Sequence, residues 1–153
     1  MYQITPLEKI FEQHDERTYE EYLRNVVDRV IFSVPFRSHM LGTEYIKEAI
    51  IFIIINGQNR MLISDVYAHL ENVFHRKGSA IERSVRHVLS AYKDNTYCKR
   101  INAIFGNDVI DERYTPTGKA VIKGIAAQII HFTHIFYRPC IVWGPNDTPP
   151  CAE

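Results

Sequence analysis

The 153-residue chain has no apolar run long enough to cross a bilayer, no CxxC pair, no glycine-rich phosphate loop and no net charge. Each absence removes a class of function. The longest apolar run, Ala49 to Ile55, is far short of the roughly 20 residues a spanning helix needs. The wider stretch from Ala120 to Trp143 carries Lys123, Gln128, His131, His134 and Arg138, which argues against a membrane helix. Met1 opens a mixed polar segment without the charged and then apolar pattern of a secretory signal. Cys98, Cys140 and Cys151 leave an odd thiol, which fits a reducing cytoplasm better than an oxidising compartment. The 18 Lys and Arg balance 18 Asp and Glu, so any surface aimed at a polyanion has to be local.

What is present is ordinary globular composition, 46% hydrophobic and 24% charged, enough for one domain with a real core. The signals are helical almost throughout, and the fold reads as all-α: a multi-helix domain containing a helix-turn-helix, with an N-terminal helical arm. The arm, residues 1–38, is acidic. It has a capping box at Thr18–Glu21 and one stripe of Tyr19, Tyr22, Leu23, Val26, Val30 and Ile31. Ser33-Val34-Pro35-Phe36 interrupts it, because the residue before a proline avoids helical angles. The main domain, residues 39–137, should contain a central helix from about Glu44 to Ile55 and two short helices over Met61–Tyr67 and Ala68–His75. A third short helix should cover Cys98–Phe105, and a last one should be capped by Thr115 and run to about Tyr137. Asn107–Tyr114 is the only strand candidate. Residues 138–153 form a proline-rich tail. Ile50, Ile54, Leu70, Phe74, Ile81, Val85, Phe105, Ile122 and Ile125 are expected to share one core.

The most informative segment is Ser79-Ala80-Ile81-Glu82-Arg83-Ser84-Val85-Arg86-His87. Ile81, Val85, Val88 and Leu89 recur at helical spacing, which leaves Glu82, Arg83, Arg86 and His87 outward. Seven Lys or Arg lie between Arg76 and Arg100, against only Glu82 and Asp94, so this region is basic on a neutral protein. A short helix, a tight turn at Arg76-Lys77-Gly78 and a second helix with exposed cations make a helix-turn-helix pattern. Such a second helix fits the major groove. Arg there donates two bonds to a guanine edge and Glu accepts from cytosine, while cations a turn further on meet phosphates.

With these residues in view, about three fifths of the chain, from His39 to Ile130, resembles the DNA-binding effector domains of the stage-zero sporulation protein A family. Leu41-Gly42-Thr43-Glu44-Tyr45-Ile46-Lys47-Glu48-Ala49-Ile50 is similar to that family's first helix, and Ile81-Glu82-Arg83-Ser84-Val85-Arg86-His87 to its recognition helix. Ile101 to Gly106 and Tyr114-Thr115-Pro116-Thr117 match in order further on. The resemblance implies base contacts by Glu82 and Arg83 and phosphate contacts by Ser79, Arg86 and His87. The basic turn adds Arg76 and Lys77 to the phosphate set. The partner expected is double-stranded DNA, with no membrane, small-molecule substrate or cofactor. Three departures stand out. Ala80 replaces a family arginine, and Glu71 falls where the first helix of the motif usually has a small residue. The 38 residues ahead are also too few for the family's receiver domain, so no phosphoacceptor is implied.

Each signal has a competitor. Ser79-x-x-Glu82 also reads as a capping box. His131 and His134, with Cys140 downstream, lack a fourth metal ligand at sensible spacing and read as helix-face histidines. Asp65 and His69 read as a surface pair rather than an acid/base couple. Cys98 beside Lys99 and Arg100 invites a lowered thiol pKa, yet no catalytic partner is identifiable. No enzyme is expected. A sequence-specific transcriptional regulator is the leading reading, and a protein-interaction module that has lost site-specific DNA binding is the alternative. The arm's stripe is too apolar to stand in water. It must pack on its own domain or, as expected here, on a second copy in a homodimer.

Overall fold

Glycine at position 42 lets two helices meet backbone to backbone. The structure, a computed structural model, describes residues 6–37, 40–57, 61–91 and 96–139. In chain order the helices are α1 (Leu7–Ile10), α2 (Tyr19–Ser33), α3 (Leu41–Phe52), α4 (Ile63–Phe74), α5 (Gly78–Ser90), α6 (Thr96–Phe105) and α7 (Gly118–Phe136), with a wide π turn, Ile53–Gly57, closing α3. A methyl group on Gly42 would collide with the carbonyl oxygen of Ser84 and with Val88. The first turn of α3 therefore lies directly against the middle of α5. Ile46, Ala49 and Ile50 of α3 continue the contact as a fully buried strip. α7 backs both helices through Val121, Ile122, Ile125 and Ile129, all buried. No strand occurs among the described residues, and none of their helices is long and apolar enough to cross a membrane.

The arm belongs to this core. α2 starts where Thr18 Oγ1 accepts from the Glu21 amide at 3.1 Å, and the Glu21 carboxylate reaches back to the Arg17 amide at 2.9 Å. This is the expected cap with the return bond one residue further out. Tyr22, Leu23, Val26, Val27, Val30 and Ile31 are buried within the chain itself, against α3 and α6. The expected stripe is thus covered by its own domain except at Tyr19, which stays 40% exposed and meets the Tyr137 ring edge-on. Charge pairs flank it: Arg24 clasps Glu48 through two 3.0 Å bonds, and Lys47 meets Asp28 at 2.7 Å. The Tyr22 hydroxyl donates to the Phe11 carbonyl at 2.8 Å, and burial pushes its pKa up to about 12. Phe11 in turn stacks near Phe132 and Phe136 at the far end of α7. The expected division at residues 38 and 39, and most of the 138–153 tail, lie outside the described residues.

Several local expectations are corrected. Residues 63–74 form one helix rather than two, because Val66 and Leu70 keep a single buried face through Ala68. α3 begins at Leu41, three residues before the expected start, and its regular turns end at Phe52. α6 begins at Thr96 and ends, as expected, at Gly106, whose φ of 68° is the left-handed region that glycine adopts without cost. α7 is capped by Thr117, which accepts from the Ala120 amide at 3.1 Å, and not by Thr115. Asn107–Tyr114 is a loop, held by Asn102, whose side chain donates to the Ile110 carbonyl and accepts from the Ile110 amide. That two-way bond replaces any strand partner. The expected core residues are buried apart from Phe74, which is half-buried and packs edge-on against Tyr45 at 4.8 Å.

Two outcomes follow. Gly42→Ala should cost about 1–3 kcal/mol, because the Ser84 carbonyl is backbone and cannot swing aside. Urea denaturation will read this, and a variant of unchanged midpoint would refute the contact. Glu16 gives a pH dependence. Burial opposes its charge, but bonds from Asn25 at 3.1 Å and the His14 amide at 2.6 Å, with Arg29 at 3.6 Å, leave its pKa lowered. Its contribution is therefore complete above the ordinary glutamate pKa of about 4.3 and is lost as pH falls through the lower folded value. The stability gap between the native chain and Glu16→Gln should be constant near neutrality and shrink on acidification below about pH 4.3.

Candidate nucleic-acid interface

α4, its turn and α5 form the helix-turn-helix, and the turn uses an unexpected residue. His75, not glycine, takes the left-handed conformation that ends α4, with φ 54° and ψ 46°. Gly78 is the first residue of α5. Its amide donates to the Glu71 carboxylate of α4 at 2.7 Å. A side chain at position 78 would strike that same carboxylate oxygen. Glu71 thus caps α5 across the turn, where its charge also faces the positive helix end. Its presence at the usual small-residue position is thereby explained. Ser79 lies inside the helix and makes no cap, so the capping-box competitor is not formed: Glu82 instead accepts from Arg86 at 3.2 Å, one turn along.

The apolar side of α5 is fixed by Ile81, Val85, Val88 and Leu89, each no more than 1% exposed and each worth roughly 1.5–3 kcal/mol on burial. Everything else follows from the helical turn of roughly 100° per residue. Arg83 stands opposite the buried side. Glu82 and Arg86 lie on the flank towards α4, where their charges act on the Tyr67 hydroxyl: burial first, and then Glu82, raise its pKa, while Arg86 opposes them. His87 and Ala80 turn to the other flank, towards α3. There a groove of about 610 Å³ runs between the helices, with Arg83 and His87 on one side, Arg37, Met40 and Leu41 on the other.

Ser79, Glu82, Arg83, Arg86 and His87 are therefore all brought to one exposed surface, with Arg76 and Lys77 exposed at its head. The seven-cation cluster does not stay together. Arg100 leaves it, donating from Nε to the Ser33 carbonyl at 2.9 Å and tying α6 to the end of α2. Lys93 lies outside the described residues. Arg37 was not legible as part of this surface, because only the packing of Gly42 on Ser84 brings the loop before α3 beside α5.

The competing chemistries fare differently. Burial pushes the Cys98 thiol up, opposite to the lowering its basic neighbours suggested, so it is no activated nucleophile. His69 lies flat on Phe52 with ring centres 3.9 Å apart. His131 and His134 are exposed, and no group of three or more His, Cys, Asp or Glu among the described residues is arranged to hold a metal ion.

Removal of the cross-turn cap is a direct check on the motif. Glu71→Ala should cost about 1 kcal/mol, and Glu71→Gln, which keeps the acceptor, clearly less. Thermal unfolding of the pair will show it; equal losses would mean that the bond to Gly78 contributes nothing.

Residues 27–129 match the protein family described as Sporulation initiation factor Spo0A C terminal. The match opens inside α2 and takes in α3, the whole helix-turn-helix, α6 and most of α7. No solved structure matches the chain.

Proposed function

Because the chain belongs to the Spo0A C-terminal family of DNA-binding sporulation effector domains, we propose that it is a sequence-specific transcriptional regulator working in the cytoplasm. The observation that carries this reading is the split character of α5. Four apolar residues are sealed in the core, while Arg83, Arg86 and His87 stand exposed on the opposite side of the same helix. In the major groove Arg83, at the outermost position, reaches a base edge, and Glu82 accepts from a base amino group once Arg86 has moved to a phosphate. Ser79, Arg76 and Lys77 meet the backbone near the start of the helix. No catalytic step is part of this role.

The alternative, an interaction module without site-specific binding, draws on one feature. Ala80 cannot reach a base, so the reading surface rests on Glu82 and Arg83. As for a homodimer, α2's stripe is already spent on its own domain, so two copies side by side on DNA would need another surface.

Titration of fluorescent duplexes at several salt concentrations tests the reading. Arg86→Ala should weaken binding to all sequences alike and reduce the salt slope by about one phosphate. Arg83→Ala should cost roughly 1–3 kcal/mol on the preferred site and relax sequence preference. Unchanged binding in both variants would remove α5 as the reading surface.

A further inference from the structure

Resting on the DNA-binding reading, we infer that Arg37, together with His87, grips a second run of sugar-phosphate backbone in the groove between α3 and α5. This is the flank of the recognition helix away from Arg86. The geometry requires two such flanks. A helix with its side chains is about 10–12 Å across, and the major groove is about 12 Å wide, so an inserted helix meets both walls. Arg86 faces one wall from the α4 side. Nothing in the sequence signature supplies a matching arginine on the α3 side, where Ala80 and His87 point.

The structure does supply one. The Arg37 carbonyl accepts from the Thr43 hydroxyl at 2.7 Å and from the Met40 amide at 3.2 Å. Its backbone is thus fastened to the first turn of α3. That turn is in turn fixed on α5 by the contact of Gly42 with Ser84. Arg37 is exposed and lines the same groove as Arg83 and His87. The groove's chemistry suits a nucleic-acid strand better than a lone anion. Cationic and imidazole groups stand beside an apolar stretch made by half-buried Met40 and exposed Leu41. A strand presents both charged phosphates and deoxyribose, and this surface offers cations and apolar side chains together. None of the described residues lining it is acidic.

The test uses the full chain, a random-sequence duplex and a duplex selected for tight binding, titrated between 50 and 200 mM salt. Arg37→Gln should weaken both complexes by the same factor, since a backbone contact carries no sequence information. Its salt slope should be shallower by about 0.9, so affinity falls about 3.5-fold less across that salt range. Arg37→Lys should keep the native slope. Lys9→Gln controls for net charge alone. Lys9 sits on α1, next to Phe11 at the C-terminal end of α7, whereas Gly118 at the other end packs so near α5 that a methyl group there would stand 2.9 Å from Val85. The 19 residues of α7 separate the two by roughly 28 Å. Lys9→Gln should leave the slope unchanged.

If Arg37→Gln binds with the native slope while the native chain still binds DNA, the inference is overturned and the functional reading stands. If the slope changes but Lys9→Gln changes it equally, the effect is bulk charge and the inference is again overturned. A native chain that binds neither duplex at 50 mM salt would remove the functional reading and this contact with it. Circular dichroism of each variant confirms that a lost contact is not lost fold.

Discussion

The helix-turn-helix side of the molecule depends on the absence of one methyl group. Only glycine at position 42 allows α3 to rest on the Ser84 carbonyl, and that contact sets where α3 starts relative to α5. The loop carrying Arg37 is hung from the same turn by two hydrogen bonds to its carbonyl. α5 is thus clamped on one side by α3, at its start by the Glu71 carboxylate, and from behind by α7 through Gly118 and Val85. Three constraints from three elements orient a helix whose own outward face is almost entirely solvent-exposed. A rigid reader needs this arrangement, since side chains placed on a wandering helix lose the geometric match on which base discrimination rests.

Zero net charge at first argues against a nucleic-acid partner, and the structure shows why it does not. Much of the acid is spent within the fold, away from α5. Glu48 and Glu20 hold Arg24, Asp28 and Glu44 hold Lys47, and Glu16 faces Arg29. Arg24–Glu48 and Lys47–Asp28 stitch α2 onto α3, and Arg29–Glu16 ties the segment before α2 to it. Most are partly exposed and each contributes little, because exposed ion pairs are worth about 0–1 kcal/mol. Their value is positional: charges paired at the α2 side cancel locally, away from α5. Salt screening over roughly 8–10 Å completes the separation. A whole-chain charge count therefore says little about a surface only one helix wide.

The helical class, the helix-turn-helix and the outward residues of α5 were legible because they rest on local periodicity. Ile81, Val85 and Leu89 declare their side of the helix whatever packs on it. The misses share a different cause. Glu71 looked misplaced because its partner, the Gly78 amide, lies seven residues on, across a turn whose left-handed residue is a histidine. The stripe on α2 could be read as buried, but which surface buries it is a tertiary fact. Facing α3 and α6, it joins its own core. Ala68 looked like a helix boundary, although Val66 and Leu70 carry one face straight through it. Arg37 had no local signal at all, because its role is set by a contact between residues 42 apart in sequence.

The two flanks of α5 are chemically unequal, and the inequality bears on how DNA is first met. On the α4 side Arg86 is engaged with Glu82, an exposed pair that a phosphate can replace at small cost. Until it does, the positive charge of Arg86 is largely cancelled at a distance. On the α3 side Arg37, Arg83 and His87 line one groove together with Met40 and Leu41. In the proposed DNA-binding role, an approaching duplex meets on this flank arginines that lie outside the Glu82–Arg86 pair. Engagement of that backbone wall would bring the second wall within reach of Arg86. Its transfer to phosphate would then release the Glu82 carboxylate in the groove, where a donor on a base edge satisfies it. On the proposed function, attraction without sequence and reading with sequence thus fall to opposite sides of one helix, and the Glu82–Arg86 pair is the point at which the first would be exchanged for the second.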